Sequence, residues 1–88
     1  MDRDLWNKMT EKIDEISETG PDLHKISHRI AGSESRPFML GVVAGRLYNS
    51  FYYQTRRICG RDPTPAEMDE FLAMVEQNKK LLQRILDG

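Results

Sequence analysis

Pro37-Phe-Met-Leu-Gly-Val-Val-Ala-Gly45-Arg-Leu-Tyr-Asn-Ser-Phe-Tyr-Tyr-Gln-Thr-Arg-Arg-Ile-Cys59 is the stretch that decides the fold. Proline suits the first turn of a helix and glycine the position just past its end. Pro37 and Gly60 therefore bracket one long predicted helix. Projected at 100° per residue, Leu40, Ala44, Leu47, Phe51 and Ile58 share a stripe, with Tyr48 and Thr55 at its edge. Arg46, Asn49, Ser50, Tyr53, Arg56 and Arg57 share the opposite face. The first two turns depart from this rule. Phe38, Met39, Val42 and Val43 lie on the side that later turns polar, so this end is apolar nearly all round and needs cover on more than one side.

Toward the C-terminus, Arg61-Asp-Pro-Thr-Pro65 reads as a rigid turn. Thr64 is the predicted N-cap, Pro65 the first helical residue and Glu67 the capping-box partner. A helix is expected from there to about Leu86, with Met68, Phe71, Val75, Leu82 and Ile85 as its seam. Leu72, Met74, Leu81 and Leu86 widen the apolar arc to about half the circumference, which suits a helix packed against two neighbours. Asn78 falls in phase with the seam, where a polar side chain often sets register or oligomer state. The short turn makes the two long helices neighbours, an antiparallel hairpin. The run Gly60-Arg-Asp-Pro-Thr-Pro-Ala-Glu67 resembles the start of a helix in bacterial sigma factors. The chain beyond Glu67 has no second short helix and no recognition helix, so no function comes with the resemblance.

Toward the N-terminus, Trp6, Met9, Ile13 and Ile16 recur at helical spacing from about Asp4 to Thr19. Gly20 and Pro21 end this segment, and a shorter helix is expected to about Ala31, with Leu23, Ile26 and Ile30 inward. A single helix kinked at Pro21 is the rival reading, because Leu23 and Ile30 keep the seven-residue phase of Met9 and Ile16. Gly32-Ser-Glu-Ser-Arg-Pro37 is a breaker-rich loop. No strand-like alternation and no repeat occur. The expected fold is all-α: residues 1–88 as a single helical domain, a bundle of three to four helices.

Composition narrows the function. The longest uncharged apolar stretch, Pro37 to Gly45, is far short of the roughly 20 residues of a spanning helix, so no membrane partner is expected. The charged N-terminus carries no apolar core of a signal peptide. One cysteine, Cys59, supports neither an internal disulfide nor a zinc cluster, and points to a cytoplasmic location. The net charge of −1 hides a pattern. Residues 36–61 carry Arg36, Arg46, Arg56, Arg57 and Arg61 and no acid, while the segments on either side each have a balance of −3.

Catalytic chemistry is not legible. His24 and His28 are four apart and can share a helical face, but the HExxH pattern is absent and no third ligand is evident. No metal site, cofactor or enzyme activity is expected. Gly41-Val-Val-Ala-Gly45 has the spacing that permits close helix–helix approach. The expected function is a non-catalytic protein–protein interaction module that associates with itself or another protein, using Phe38, Met39, Val42 and Val43 as its interface. The alternative is a nucleic-acid-binding accessory protein. There Tyr53 would stack a base, and Arg46, Asn49, Arg56 and Arg57 would line the contact. Pairing of the arginines with acids of the flanking helices is the competing explanation of the charge pattern.

Overall fold

A computed structural model of the protein describes residues 1–87, with the side chain at position 17 left aside. Helices take 86% of the chain, more than the three quarters or so its periodic segments suggest, and the described residues include no strand. The α-helices are, in chain order, α1 (Arg3–Glu15), α2 (Gly20–Ile26), α3 (Arg36–Cys59), α4 (Pro65–Gln77) and α5 (Lys79–Asp87). A 3-10 turn, Ile16–Thr19, joins α1 to α2, and a π-helical turn, Ser27–Ala31, ends α2. Helical geometry thus runs from Arg3 to Ala31 without a loop, as in the kinked-helix reading. Pro21 is accommodated because a proline in a first helical turn sacrifices no helical hydrogen bond.

Side-chain caps set the boundaries. Asp2 accepts from the backbone N–H of Asp4 and Leu5 at 2.9 and 3.2 Å. Gly32 and Gly60 close α2's π turn and α3 at φ 81° and 70°, left-handed conformations that favour glycine. Ser27, fully buried, holds the loop between them: its Oγ donates to the Ser33 carbonyl at 2.5 Å and accepts from the Ser35 N–H at 2.9 Å. The capping box stands as expected. Glu67 N–H donates to Thr64 Oγ1 at 3.2 Å, and Thr64 N–H donates to Glu67 Oε1 at 2.9 Å.

The molecule is 39 Å long, a length set by α3, whose 24 residues span about 36 Å. α1 packs along it, and Leu5, Met9, Ile13 and Ile16 meet Met39, Val43, Leu47 and Phe51 in the core. Here the structure corrects the straight-stripe projection. Met39 and Val43 are buried core residues, while Leu40 and Ala44 are only half-buried. The buried positions 39, 43, 47, 51 and 55 advance in steps of four, and such a row drifts about 40° around the helix at each step. One seam therefore turns from the α1 side toward α4 instead of holding a single face. Leu5 replaces Trp6 as the inward residue of α1, and Ile26 and Ile30 point outward.

The C-terminal helix is also not continuous. It breaks at Asn78, with φ −99° and ψ 13°. Asn78 Nδ2 donates to the Met74 carbonyl at 2.8 Å, so the polar group finds its partner inside its own helix. The break turns α5 so that Leu82, Ile85 and Leu86 bury against α2, α3 and the 3-10 turn. Ile85 lies on Gly20, whose Cβ position is 3.6 Å from the Ile85 carbonyl oxygen.

Candidate functional site

Two faces of α3 remain outside the core. The first is a groove between α3 and α4, lined by Ala44, Gly45, Tyr48, Phe71, Leu72 and Val75 through apolar atoms alone. Phe71 forms its floor and stacks on the fully buried Phe51 beneath, with centroids 4.6 Å apart and planes 6° from parallel. Its rims are Tyr48 and Leu72, 47% and 48% exposed, where core packing would have hidden them. The Tyr48 ring is braced by Tyr52 at 5.0 Å. The Tyr52 phenol is raised above its ordinary pKa, first through its hydrogen bond with the Tyr48 side chain. Gly41 and Gly45 open onto the same side: a Cβ built on either meets nothing within 4 Å.

The second face is cationic. Arg46, Asn49, Tyr53 and Arg57 are all exposed, and Tyr53 is 63% exposed. The five arginines of the central band divide. Arg36 pairs with Asp87, Arg56 Nε with Asp62 at 2.6 Å, and Arg61 with both carboxylate oxygens of Glu67 at 2.6 and 3.2 Å. Arg56 also lies 5.6 Å over the Tyr52 ring, and the Asp62 hydrogen bond is the chief cause of its raised pKa. Arg46 and Arg57 have no ion pair or hydrogen bond among the described residues. Charge neutralisation within the fold thus accounts for three of the five.

The two faces differ in how far the sequence places them. Arg46, Asn49, Tyr53 and Arg57 are exposed along α3, with Arg56 beside them but engaged by Asp62. The residues expected at a partner interface separate: Met39 and Val43 are internal, and Phe38 and Val42 are half-buried. The groove residues Tyr48 and Leu72 escape a reading by periodicity, because both sit at the edges of apolar arcs that look internal. The outward Gly41 and Gly45 are the sequence signal for this side.

Elsewhere, His24 Nδ1 is 2.9 Å from Glu34 Oε1, and His28 Nε2 is 3.6 Å from the same oxygen. The Glu34 carboxyl is held below its ordinary pKa, chiefly by the His24 hydrogen bond. Among the described residues no group of three His, Cys, Asp or Glu side chains is placed to hold a metal ion. No described helix is long and apolar enough to cross a membrane. No protein-family model, curated protein or solved structure matches the chain, so its function has to be read from these two faces.

Proposed function

We propose that the protein is a non-catalytic helical interaction module that pairs with a second copy of itself through the α3–α4 groove. The observation that carries this reading is the groove itself, apolar throughout and rimmed by the half-exposed Tyr48 and Leu72. α3 and α4 act as antiparallel arms in this reading, since Phe51 faces Phe71 while Ala44 and Tyr48 lie beside Val75 and Leu72. Charge supports a second copy as the occupant. α4 carries Glu67, Asp69, Glu70 and Glu76 and no base, and α3 carries only arginines. A twofold axis along the groove lays α3 of each copy over α4 of the other, setting the arginine-bearing helix against the acidic one. Gly41 and Gly45 let the backbones approach closely. A cytoplasmic location goes with this reading.

Magnitudes make the dimer weak. Tyr48 and Leu72 of both copies each gain about half the 1.5–3 kcal/mol of full burial, on the order of 4–5 kcal/mol together. Association entropy is of similar size, so the dimer forms only at high concentration, with dispersion along the glycine face adding to its stability. Leu72→Glu and Gly45→Leu test this reading. A Cβ at Gly45 meets nothing within 4 Å and Leu72 is half exposed, so both variants should keep full helicity by circular dichroism and sediment as monomers. Variants that dimerise like the native chain would place the contact elsewhere.

A further inference from the structure

The cationic face of α3 borders a cleft against α1. Lys12 of α1 and Asn49, Ser50, Tyr52, Tyr53, Gln54 and Arg56 of α3 line it, with about 390 Å³ of open space. A neighbouring cleft lined by Glu15, Ile16, Arg46 and Leu47 shares Lys12 and Ser50 with it, so the two adjoin as a trough along the α1–α3 junction, in which Lys12 offsets Glu15 at 3.5 Å. The trough holds a polar group that the fold leaves unsatisfied. Gln54 is 4% exposed, and its Oε1 is buried without a hydrogen-bond partner among the described residues. Leaving a buried amide atom unpaired is costly, and proteins seldom do so without a use for it. Whichever way the amide is turned, its buried end is a polar atom.

What meets these groups has a definable chemistry. Asn49 and Gln54 each offer an amide, which donates and accepts at once, as the edge of a nucleobase does. Tyr53 offers an open aromatic face beside them. Arg46 in the trough and Arg57, exposed one turn beyond Tyr53 and outside the trough's lining, both without an ionic partner among the described residues, flank Tyr53 along the helix. They lie eleven residues apart in sequence, about 16 Å along the axis, a distance a strand of a few nucleotides covers. A duplex presents its bases edge-on within the stack and cannot lay one on Tyr53. An acidic peptide would answer the arginines but leave the ring and the amides idle.

We propose that this trough binds single-stranded nucleic acid, with a base stacked on Tyr53, its edge on the amide of Asn49 and on that of Gln54 once this side chain turns outward, and phosphates on Arg46 in the trough and Arg57 beside it. Binding is of the sequence-tolerant kind, in which stacking and phosphate contacts dominate. Because the chain as a whole is slightly acidic, affinity rests on this face alone, and the expected Kd at low salt is about 1–100 µM.

Fluorescence anisotropy of a labelled twelve-nucleotide oligouridylate, titrated with the full chain at low salt, tests the proposal. The single strand should bind in that range and the matched duplex at least tenfold more weakly. Tyr53→Ala should weaken binding about 5- to 100-fold, and Tyr53→Phe should restore most of it. Arg46→Gln with Arg57→Gln should lower the slope of log K against log salt by about 1.4. Gln54→Leu should weaken binding while raising the melting temperature, a combination that a purely structural glutamine would not give. Leu72→Glu should bind like the native chain, which separates this trough from the groove. No binding at low salt, equal binding of duplex and single strand, or indifference to Tyr53→Ala would overturn the proposal. So would equal binding of a labelled polyglutamate peptide.

Discussion

Replacing Glu67 with glutamine should remove a measurable part of the protein's acid sensitivity. Glu67 is nearly buried, accepts two hydrogen bonds from Arg61 and one from the Thr64 N–H, and has its carboxyl lowered from 4.5 to about 2. The Arg61 hydrogen bond is the chief cause. Because the folded state holds the proton less tightly than the unfolded chain, the stabilisation is complete above about pH 4.5. It is lost as pH falls toward 2. At 1.36 kcal/mol per pH unit, its ceiling is about 3.4 kcal/mol. The Arg61 side chain is 49% exposed, so solvent screens the pair and about 1.5 kcal/mol is a better expectation. An 88-residue domain has about 4–13 kcal/mol in all, so the effect is readable. Urea melts followed by circular dichroism at pH 6 and pH 3, at constant ionic strength, give the assay. The native protein should lose about 1–1.5 kcal/mol more than Glu67→Gln over this interval. Glu34, lowered in the same direction, contributes equally to both proteins and cancels. Equal losses would refute the reasoning and show that the Arg61–Glu67 pair does not depend on charge.

Three further substitutions probe the joints of the fold. Thr64→Ala removes the acceptor of the Glu67 N–H and should cost about 1 kcal/mol in a denaturant melt; an unchanged midpoint would mean α4 does not depend on this cap. Ser27→Ala leaves the Ser33 carbonyl and the Ser35 N–H without their shared partner and should cost about 1–3 kcal/mol, with faster amide exchange at Ser35. Unaltered exchange there would show that the loop is held by other contacts. Asn78→Leu should destabilise by about 1 kcal/mol, because the side chain caps the Met74 carbonyl at the break before α5. A gain in stability would instead support a continuous helix through that position.

The contrast between Thr64 and Asn78 shows what is legible in the sequence. The Thr64 cap is a local motif, four residues of backbone and two side chains, and it stands where the pattern puts it. Asn78 looks like a seam residue because 3.6-residue periodicity continues through it, and only the demands of α2 and the 3-10 turn make the break worthwhile. Periodicity misplaces Met39 and Val43 for a related reason. A row of every fourth residue winds around α3, while a projection onto fixed faces assumes one neighbour along its whole length. For the site, the outward run of Arg46, Tyr53 and Arg57 comes from spacing alone. Gln54 does not, since a polar residue beside the outward Tyr53 gives no sign that its own side chain is buried. Nor does the pairing of Arg36 with Asp87, which depends on where the break at Asn78 sends α5.

Sedimentation equilibrium of the native chain, at concentrations rising to about 1 mM, tests self-association through the α3–α4 groove most directly. The monomer mass is 10.2 kDa. The weight-average mass should climb with concentration toward twice that value without exceeding it, with Leu72→Glu remaining at the monomer mass throughout. A native chain that stays at 10.2 kDa over the whole range would contradict the account.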